Sequence, residues 1–142
     1  MNHAILFAAL LAATSPAAAQ SEAGKCTTAE AVAAEAATDR LFTWPNVYRF
    51  FRQFGHCFDG AIAGNASDRI QGLLADRWSE VPQLLKFMSQ DTHFNTFVLN
   101  IVNSEAFPRH TFSTVVTHAK ERCPTSAAEF CQAIMSAEKR AK

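Results

Sequence analysis

The sequence predicts an all-α fold, a compact bundle of six to seven short helices held together by disulfide bonds. Two observations indicate helices: apolar residues recur at positions i, i+3, i+4 and i+7, and the alternation of apolar and polar residues that strands show is missing. A third observation indicates disulfides, because the chain has four cysteines, an even number, and all follow a segment typical of exported proteins.

Residues 1–19 are predicted to be a cleaved signal peptide. The apolar run 4–13 is followed by Pro16 and by the small residues 17–19 before Gln20, the order that a signal peptidase recognises. A helix of about ten residues spans about 15 Å, roughly half of a bilayer's hydrocarbon thickness, which disfavours a membrane anchor. The alternative is a buried N-terminal helix. Residues 20–142 are predicted to form one helical domain without a membrane span.

The first two helices are predicted from their ends. Thr27 and Glu30 form a capping box that opens an alanine-rich helix reaching to about Arg40. Pro45 suits the first turn of a second helix, which Gly55 ends. The apolar face of this second helix consists of Val47, Phe50, Phe51 and Phe54.

The third and fourth helices are predicted from caps and apolar spacing. The third begins near Cys57 or Asp59, and Gly64-Asn65 allows a break before Ser67 caps a continuation. A short fourth helix begins around Ser79 and Pro82. The apolar residues of this stretch are Ile70, Leu73, Leu74, Trp78, Leu84, Leu85 and Met88.

Three more helices are predicted in the last third of the chain. Asp91 caps the first of them, a loop from Asn103 to His110 follows, and Pro124 ends the next helix. Ser126 and Glu129 form a second capping box, which opens the final helix. The apolar faces are formed by Phe94, Phe97, Val98, Ile101, Phe112, Val115, Val116, Ala119, Phe130, Ile134 and Met135.

The cysteines are predicted to pair with their neighbours along the chain, Cys26 with Cys57 and Cys123 with Cys131. The other two connectivities stay open at this point. The alternative is a zinc site made of His56 and Cys57 with the last two cysteines, but no CxxC spacing supports it. Neither a metal nor another cofactor is therefore predicted.

Composition narrows the class of partner. Thirteen basic residues balance thirteen acidic ones, so no net field favours nucleic acid or anionic lipid. Phenylalanine occurs twelve times, and one face of the second helix cannot bury all of its aromatic residues, because Tyr48 and Phe50 lie about 200° apart around the helix. We expect some of these rings to be exposed or shared with a partner.

Catalytic signatures are absent: the sequence has no nucleophile elbow, zinc-binding HExxH helix, phosphate-binding loop or redox CxxC pair. His110 and His118 are two helical turns apart and would serve as proton shuttles or ligands if a carboxylate faced them; the alternative is a pair of surface histidines. Four acidic residues form a candidate acidic face, but two of them precede an arginine, which favours a solvated surface. The four are Asp59, Asp68, Asp76 and Glu80. No catalytic residue is predicted.

Five short segments in order carry a family resemblance. They are 55–57 (GHC), 60–63 (GAIA), 73–78 (LLADRW), 97–99 (FVL) and 123–124 (CP) with Cys131. The chain resembles a group of uncharacterised exported bacterial helical proteins. In build it is also similar to the small periplasmic immunity proteins that neutralise type VI secretion amidase effectors, which are helical, disulfide-bearing and often dimeric. The resemblance implies a protein partner and a homodimer, and it carries over no functional residue.

The leading hypothesis is a periplasmic or secreted protein-binding module, an immunity or inhibitor protein that occludes its partner's active site. Phe107 and Arg109 are the candidate partner-binding residues, since aromatic and arginine anchors dominate interfaces; the alternative is that Phe107 packs beneath its own loop. A second hypothesis is a pocket for a small apolar ligand or cell-wall fragment, lined by Phe50, Phe54 and Phe97. A third is an enzyme with a non-local histidine and carboxylate site.

Overall fold

A computed structural model describes residues 24–140 of the chain. This part contains seven α-helices and no strand, so the predicted all-α fold is confirmed, and none of its helices is long and apolar enough to cross a bilayer. The predicted signal peptide lies outside the described residues. The helices are α1 (Thr28–Thr38), α2 (Trp44–Phe54), α3 (Gly60–Asp76), α4 (Val81–Gln90), α5 (Thr92–Val102), α6 (Arg109–Glu121) and α7 (Ala128–Arg140).

Side-chain caps begin α1 and α5 at the predicted residues. Thr27 Oγ1 accepts a hydrogen bond from the Glu30 N–H at 3.2 Å, and Glu30 Oε2 accepts one from the Thr27 N–H at 2.9 Å. Asp91 Oδ1 accepts from the N–H groups of His93 and Phe94. These donors have no acceptor inside their helix. Because they stabilise the ionised carboxylates, the pKa of Glu30 and that of Asp91 lie below their ordinary values, with the Thr27 and Phe94 N–H groups as the largest causes.

The interruption of the third helix was a wrong expectation, because α3 continues through Gly64 and Asn65. A glycine inside a helix costs about 1 kcal/mol relative to alanine. Ile70 and Leu74 on the same helix are fully buried, and burying such a side chain contributes about 1.5 to 3 kcal/mol. Packing along α3 therefore outweighs the local preference for a break.

The prediction of a second capping box is also wrong, because Ser126 is not the residue that directly precedes α7. Residues Thr125–Ala127 form a 3-10 turn, and α7 begins after it at Ala128. The Ala127 N–H donates to the carbonyl oxygen of Pro124 at 2.8 Å. This backbone bond within the turn takes the place of the expected side-chain cap.

All seven helices contribute to the core, and its largest fully buried side chains come from α2 to α7. Trp44 and Val47 of α2, Phe94 of α5 and Ile134 of α7 have no exposed surface. Phe107, in the loop between α5 and α6, belongs to the same core.

Six aromatic rings, which we call the aromatic cluster, pack together at the face of α2 that carries Tyr48 and Phe51. Tyr48 stacks on Phe87 with ring centroids 4.8 Å apart, and Phe51 contacts Phe94 and Phe97 at 5.3 and 5.0 Å. Helices α4 and α5 thus cover the face that we expected to be exposed or shared with a partner. The cluster consists of Tyr48, Phe51, Phe58, Phe87, Phe94 and Phe97.

One aromatic residue of the described part is exposed, Phe42, with 55% of its surface accessible. It lies in the connection between α1 and α2, and the Arg69 guanidinium lies 5.4 Å from its ring centroid. The surplus of aromatic residues is therefore used almost entirely inside the fold.

Two disulfides join chain neighbours, which confirms the predicted pairing. Cys26 bonds to Cys57 and ties the segment before α1 to the 3-10 turn after α2, with the Cα atoms 4.9 Å apart. Cys123 bonds to Cys131 and closes the connection between α6 and α7, with the Cα atoms 6.2 Å apart. Both separations are ordinary for disulfides.

Candidate functional site

A cleft of about 680 Å³ opens between the end of α5, the loop that follows it, α6 and the last turns of α7. It lies at the loop that the sequence indicated as a recognition element. Five of its fourteen lining residues are apolar and nine are polar or charged. The apolar ones are Val102, Phe107, Phe112, Val116 and Ala137, and the polar ones are Asn103, Ser104, Glu105, Arg109, Ser113, Thr117, Lys120, Glu138 and Arg140.

The Phe107 ring forms part of the wall of this cleft and is only 7% exposed. Its centroid lies 5.0 Å from that of Phe112, and the Phe107 N–H donates to the Ser104 carbonyl oxygen at 3.2 Å. A ring held in this way cannot project into a partner's active site. The structure thus shows the packing alternative for Phe107, whereas Arg109, the first residue of α6, is exposed.

Two side-chain contacts hold the rim of the cleft. Lys120 Nζ of α6 pairs with Glu138 Oε2 of α7 at 2.8 Å. The Arg140 guanidinium donates to the side-chain oxygen of Asn103 and so ties the end of α7 to the loop. These contacts hold α7 against α6 and against the loop, and neither of them involves Arg109.

Arg109 and Glu105 are the rim charges that have no ion pair or side-chain hydrogen bond within residues 24–140. The N-cap of α6 is Pro108, which offers no side-chain cap, and the first turn carries two basic residues, Arg109 and His110, but no acidic one. Free N–H groups and cations at a helix N-terminus favour an anion there. The mouth of the cleft at this end is accordingly suited to a carboxylate.

His118 is buried, 8% exposed, so the expectation of a surface histidine was wrong for this residue. Its Nε2 lies 2.8 Å from the Ala75 carbonyl oxygen, which places the ring proton on Nε2, and its Nδ1 accepts from the Arg122 guanidinium. The ring also packs on Trp78 at 5.5 Å. These contacts join α3 to α6, and no carboxylate is among them.

The other catalytic candidates do not form a site. His110 is exposed and lies at the start of α6, two turns from His118. Asp59 caps α3 by accepting from the Gly60 N–H, and Glu80 pairs with Arg77 at 3.0 Å. The exposed Asp68 and Asp76 agree with the interpretation as a solvated surface.

Phe50, Phe54 and Phe97, the expected lining of a ligand pocket, do not line the cleft, and each packs against other rings. Phe50 and Phe54 lie 5.8 Å apart, and Phe97 contacts Phe58 at 4.6 Å. The zinc set of His56 and Cys57 with the last two cysteines is not formed either, because all four cysteines are in disulfides.

One histidine and carboxylate pair was missed by the sequence analysis: His56 Nε2 lies 3.3 Å from Glu30 Oε1. The two residues are far apart in the chain, and each lies near one cysteine of the first disulfide. The predicted bridge between Cys26 and Cys57 was the signal that could have brought them together.

Comparisons with protein-family models, with curated proteins and with solved structures give no match to this chain.

Proposed function

We propose that this chain is an exported protein-binding module that receives a segment of a partner protein in the cleft between the 103–108 loop, α6 and α7. The observation that carries the proposal is the cleft itself, about 680 Å³ in volume, with an apolar wall around Phe107 and Phe112 and a charged rim. Specific binding sites are usually concave and of about this volume.

The lining favours a peptide segment over a small apolar ligand. Pockets for small molecules are lined mostly by apolar and aromatic side chains and enclose most of the ligand. Here nine of fourteen lining residues are polar or charged. A peptide brings both apolar side chains and backbone hydrogen-bonding groups, so it matches a mixed lining better.

Charge at the rim indicates what the segment carries. Arg109 is unpaired within the described residues and lies at the uncapped start of α6, where the helix dipole also favours negative charge. Lys120 is already neutralised by Glu138. We therefore infer a segment with an apolar side chain for the wall at Phe112 and a carboxylate for Arg109.

Export is supported by the two disulfides, since such bonds persist in oxidising compartments. A periplasmic or secreted location agrees with the predicted signal peptide. The test is mass spectrometry of the periplasmic or secreted pool, where the N-terminus should lie at Gln20 or within a few residues of it; an intact Met1 there contradicts export.

An immunity or inhibitor role is one form of this function. The Phe107 ring is buried and cannot enter the partner's active site. The exposed outer surface of the loop would occlude that site instead, through Glu105, Ala106 and Arg109. The cleft would at the same time hold a neighbouring segment of the partner. The partner would then be a protein that acts in the same compartment as this chain.

The experiment that tests the cleft is selection of peptides from a random displayed library against the folded domain, followed by a blocked variant. Ser113 lines the cleft and is exposed, so Ser113→Trp should fill the cleft without disturbing the core. Gln83→Trp, at another exposed helix position outside the cleft, is the matched control.

The selected peptides should bind the parent and Gln83→Trp alike, and they should lose at least about tenfold in affinity with Ser113→Trp, a difference of about 1.4 kcal/mol. Equal binding to all three proteins would place recognition elsewhere. Preferential binding of a small apolar dye, blocked by Ser113→Trp, would favour the small-ligand hypothesis instead.

A further inference from the structure

Four side chains that can bind a metal ion lie together at the first disulfide. Ligand atoms of Glu30, His56 and Cys57 are all within 4.8 Å of one another, and the fourth residue, Cys26, is bonded to Cys57. They come from two places in the chain, the start of α1 and the 3-10 turn after α2. None of them lines the cleft.

The capping box orients the carboxylate of this group. Glu30 Oε2 accepts hydrogen bonds from the Thr27 N–H at 2.9 Å and from the Thr27 hydroxyl at 2.7 Å. Glu30 Oε1 lies instead beside His56 Nε2, at 3.3 Å. One oxygen is therefore held by the helix start, while the other lies beside the histidine, the kind of support that positions metal ligands.

We propose that reduction of the Cys26–Cys57 disulfide creates a binding site for a thiophilic divalent cation of the Zn²⁺ class. The donors are the two cysteine sulfurs, an imidazole nitrogen of His56 and Glu30 Oε1. Two thiolates, one imidazole and one carboxylate make a four-coordinate set that Zn²⁺ accepts in tetrahedral geometry. The oxidised protein lacks the thiolates and does not bind.

Under physiological conditions the reductant is a dithiol, either a dithiol protein or a small dithiol. The reductant's two S–H groups become a disulfide, while the protein's S–S bond becomes two S–H groups, so two electrons and two protons are transferred. The divalent cation then binds both sulfurs and displaces the two thiol protons to solvent. A disulfide oxidant, which is itself reduced to two thiols, reforms the bond between Cys26 and Cys57 and so releases the cation.

The movement that this site requires is small. Zn–S bonds of about 2.3 Å place two tetrahedral thiolates roughly 3.8 Å apart. The Cα atoms of Cys26 and Cys57 are already 4.9 Å apart. Cys57 is buried, whereas Cys26 is exposed and precedes α1, so Cys26 is the residue that can shift.

The second disulfide provides a matched control inside the same protein. Cys123 and Cys131 form a more local bridge, 8 residues apart in sequence against 31 for Cys26 and Cys57, and within residues 24–140 the only group of three or more metal-binding side chains lies at Cys57. Reduction there produces two thiols without a histidine or carboxylate to complete the site.

The test is Co²⁺ titration of a Cys123→Ser, Cys131→Ser variant, which keeps only the first pair. After reduction with a phosphine under argon, we expect one equivalent of Co²⁺ to give the thiolate-to-cobalt charge-transfer band and the visible bands typical of tetrahedral cobalt. Zn²⁺ should displace the cobalt and remove both signals. The oxidised variant should give neither signal.

Three further variants decide whether the four donors act together. His56→Ala and Glu30→Gln should each weaken Co²⁺ binding at least about tenfold, and Glu30→Gln tests the ligand role alone because glutamine also suits a capping box. Cys26→Ser, Cys57→Ser, reduced at its remaining pair, should give no tetrahedral cobalt spectrum.

Three results would overturn the proposal. The first is unchanged Co²⁺ affinity in His56→Ala and Glu30→Gln, and the second is an equal cobalt spectrum from the Cys123 and Cys131 pair. The third is that the reduced protein binds no Co²⁺ although its circular dichroism spectrum stays helical. If reduction removes the helical signal, failure of Zn²⁺ to restore that signal overturns the proposal in the same way.

Discussion

Phenylalanine rings are used in two different ways in this molecule, in the aromatic cluster and at the cleft. In the cluster, α2, α4 and α5 supply rings that cover one another, and Phe94 at its centre has no exposed surface. At the cleft, Phe107 and Phe112 contact each other but form one side of an open cavity. The first region is completed within the chain, whereas the second leaves space for another molecule.

The unusual aromatic composition of α2 and the candidate recognition site lie in different parts of this protein. The dense run of aromatic residues in the second helix attracts attention in the sequence, yet its rings are used to pack helices. The cleft carries a mixture of ordinary residues and unpaired rim charges such as Arg109 and Glu105. Recognition is therefore expected where packing is incomplete, and not where aromatic residues are most frequent.

Phe94→Ala is the substitution with the largest expected effect. Because Phe94 is fully buried and contacts three rings of the cluster, the free energy of unfolding should fall by about 3 to 5 kcal/mol. Equilibrium denaturation with guanidinium measures this change. A loss below about 1 kcal/mol would mean that the cluster does not form the closed packing described above.

Phe107→Ala should have a smaller effect, because the removed ring borders the open cleft and its loss creates less of a closed cavity. Loss of its buried apolar surface predicts a decrease of about 1.5 to 3 kcal/mol in the free energy of unfolding. Phe42→Ala, at the exposed ring, is the control and should change stability by no more than about 0.5 kcal/mol. Parent-like stability in Phe107→Ala would instead favour the expectation of a projecting anchor.

Strong acid should weaken the edge of the aromatic cluster at Asp91. Asp91 caps α5 and accepts hydrogen bonds from the Tyr48 hydroxyl and from Arg52. Its pKa in the folded protein lies below the ordinary 3.8, chiefly because the Phe94 N–H stabilises the ionised form. This contribution to stability is therefore complete above about pH 3.8 and is lost as the pH falls through the lower folded pKa.

The variant Asp91→Asn isolates this effect, since asparagine keeps a capping oxygen without the charge. Thermal melts between neutral and strongly acidic pH should show a weaker acid dependence for Asp91→Asn than for the parent. Identical profiles for Asp91→Asn and the parent would contradict the assignment.

Arg109→Ala should have the smallest effect on folding. Arg109 is exposed and has no ion pair within residues 24–140, so stability should stay within about 0.5 kcal/mol of the parent. Binding of the selected peptides should nevertheless weaken by about 1 to 3 kcal/mol. Isothermal titration calorimetry measures the second quantity, and unchanged affinity would remove Arg109 from the proposed site.

Local features of the fold were predictable from the sequence because the relevant partners are close in the chain. The capping box at Thr27, the cap at Asp91 and the bridge between Cys123 and Cys131 each involve residues within about two turns of one another. The pairing of Cys26 with Cys57 followed from the same preference for chain neighbours.

Features that depend on packing between helices were not predictable. A single helix wheel shows that Tyr48 and Phe50 diverge, but it cannot show that α4 and α5 cover the second face of α2. The burial of His118 likewise needs the Ala75 carbonyl oxygen, 43 residues away. Only the loop next to the cleft was indicated in advance, because its position between two helices is visible in the sequence.

The central claim, that the cleft is the recognition surface, is tested most directly by amide hydrogen exchange with a selected peptide bound. The account predicts slower exchange in the 103–108 loop, at the uncapped first-turn amides 109–111 of α6 and in the last turns of α7, with no change in the aromatic cluster. Protection centred on α2, α4 and α5 instead, or equal exchange with and without the peptide, would contradict it.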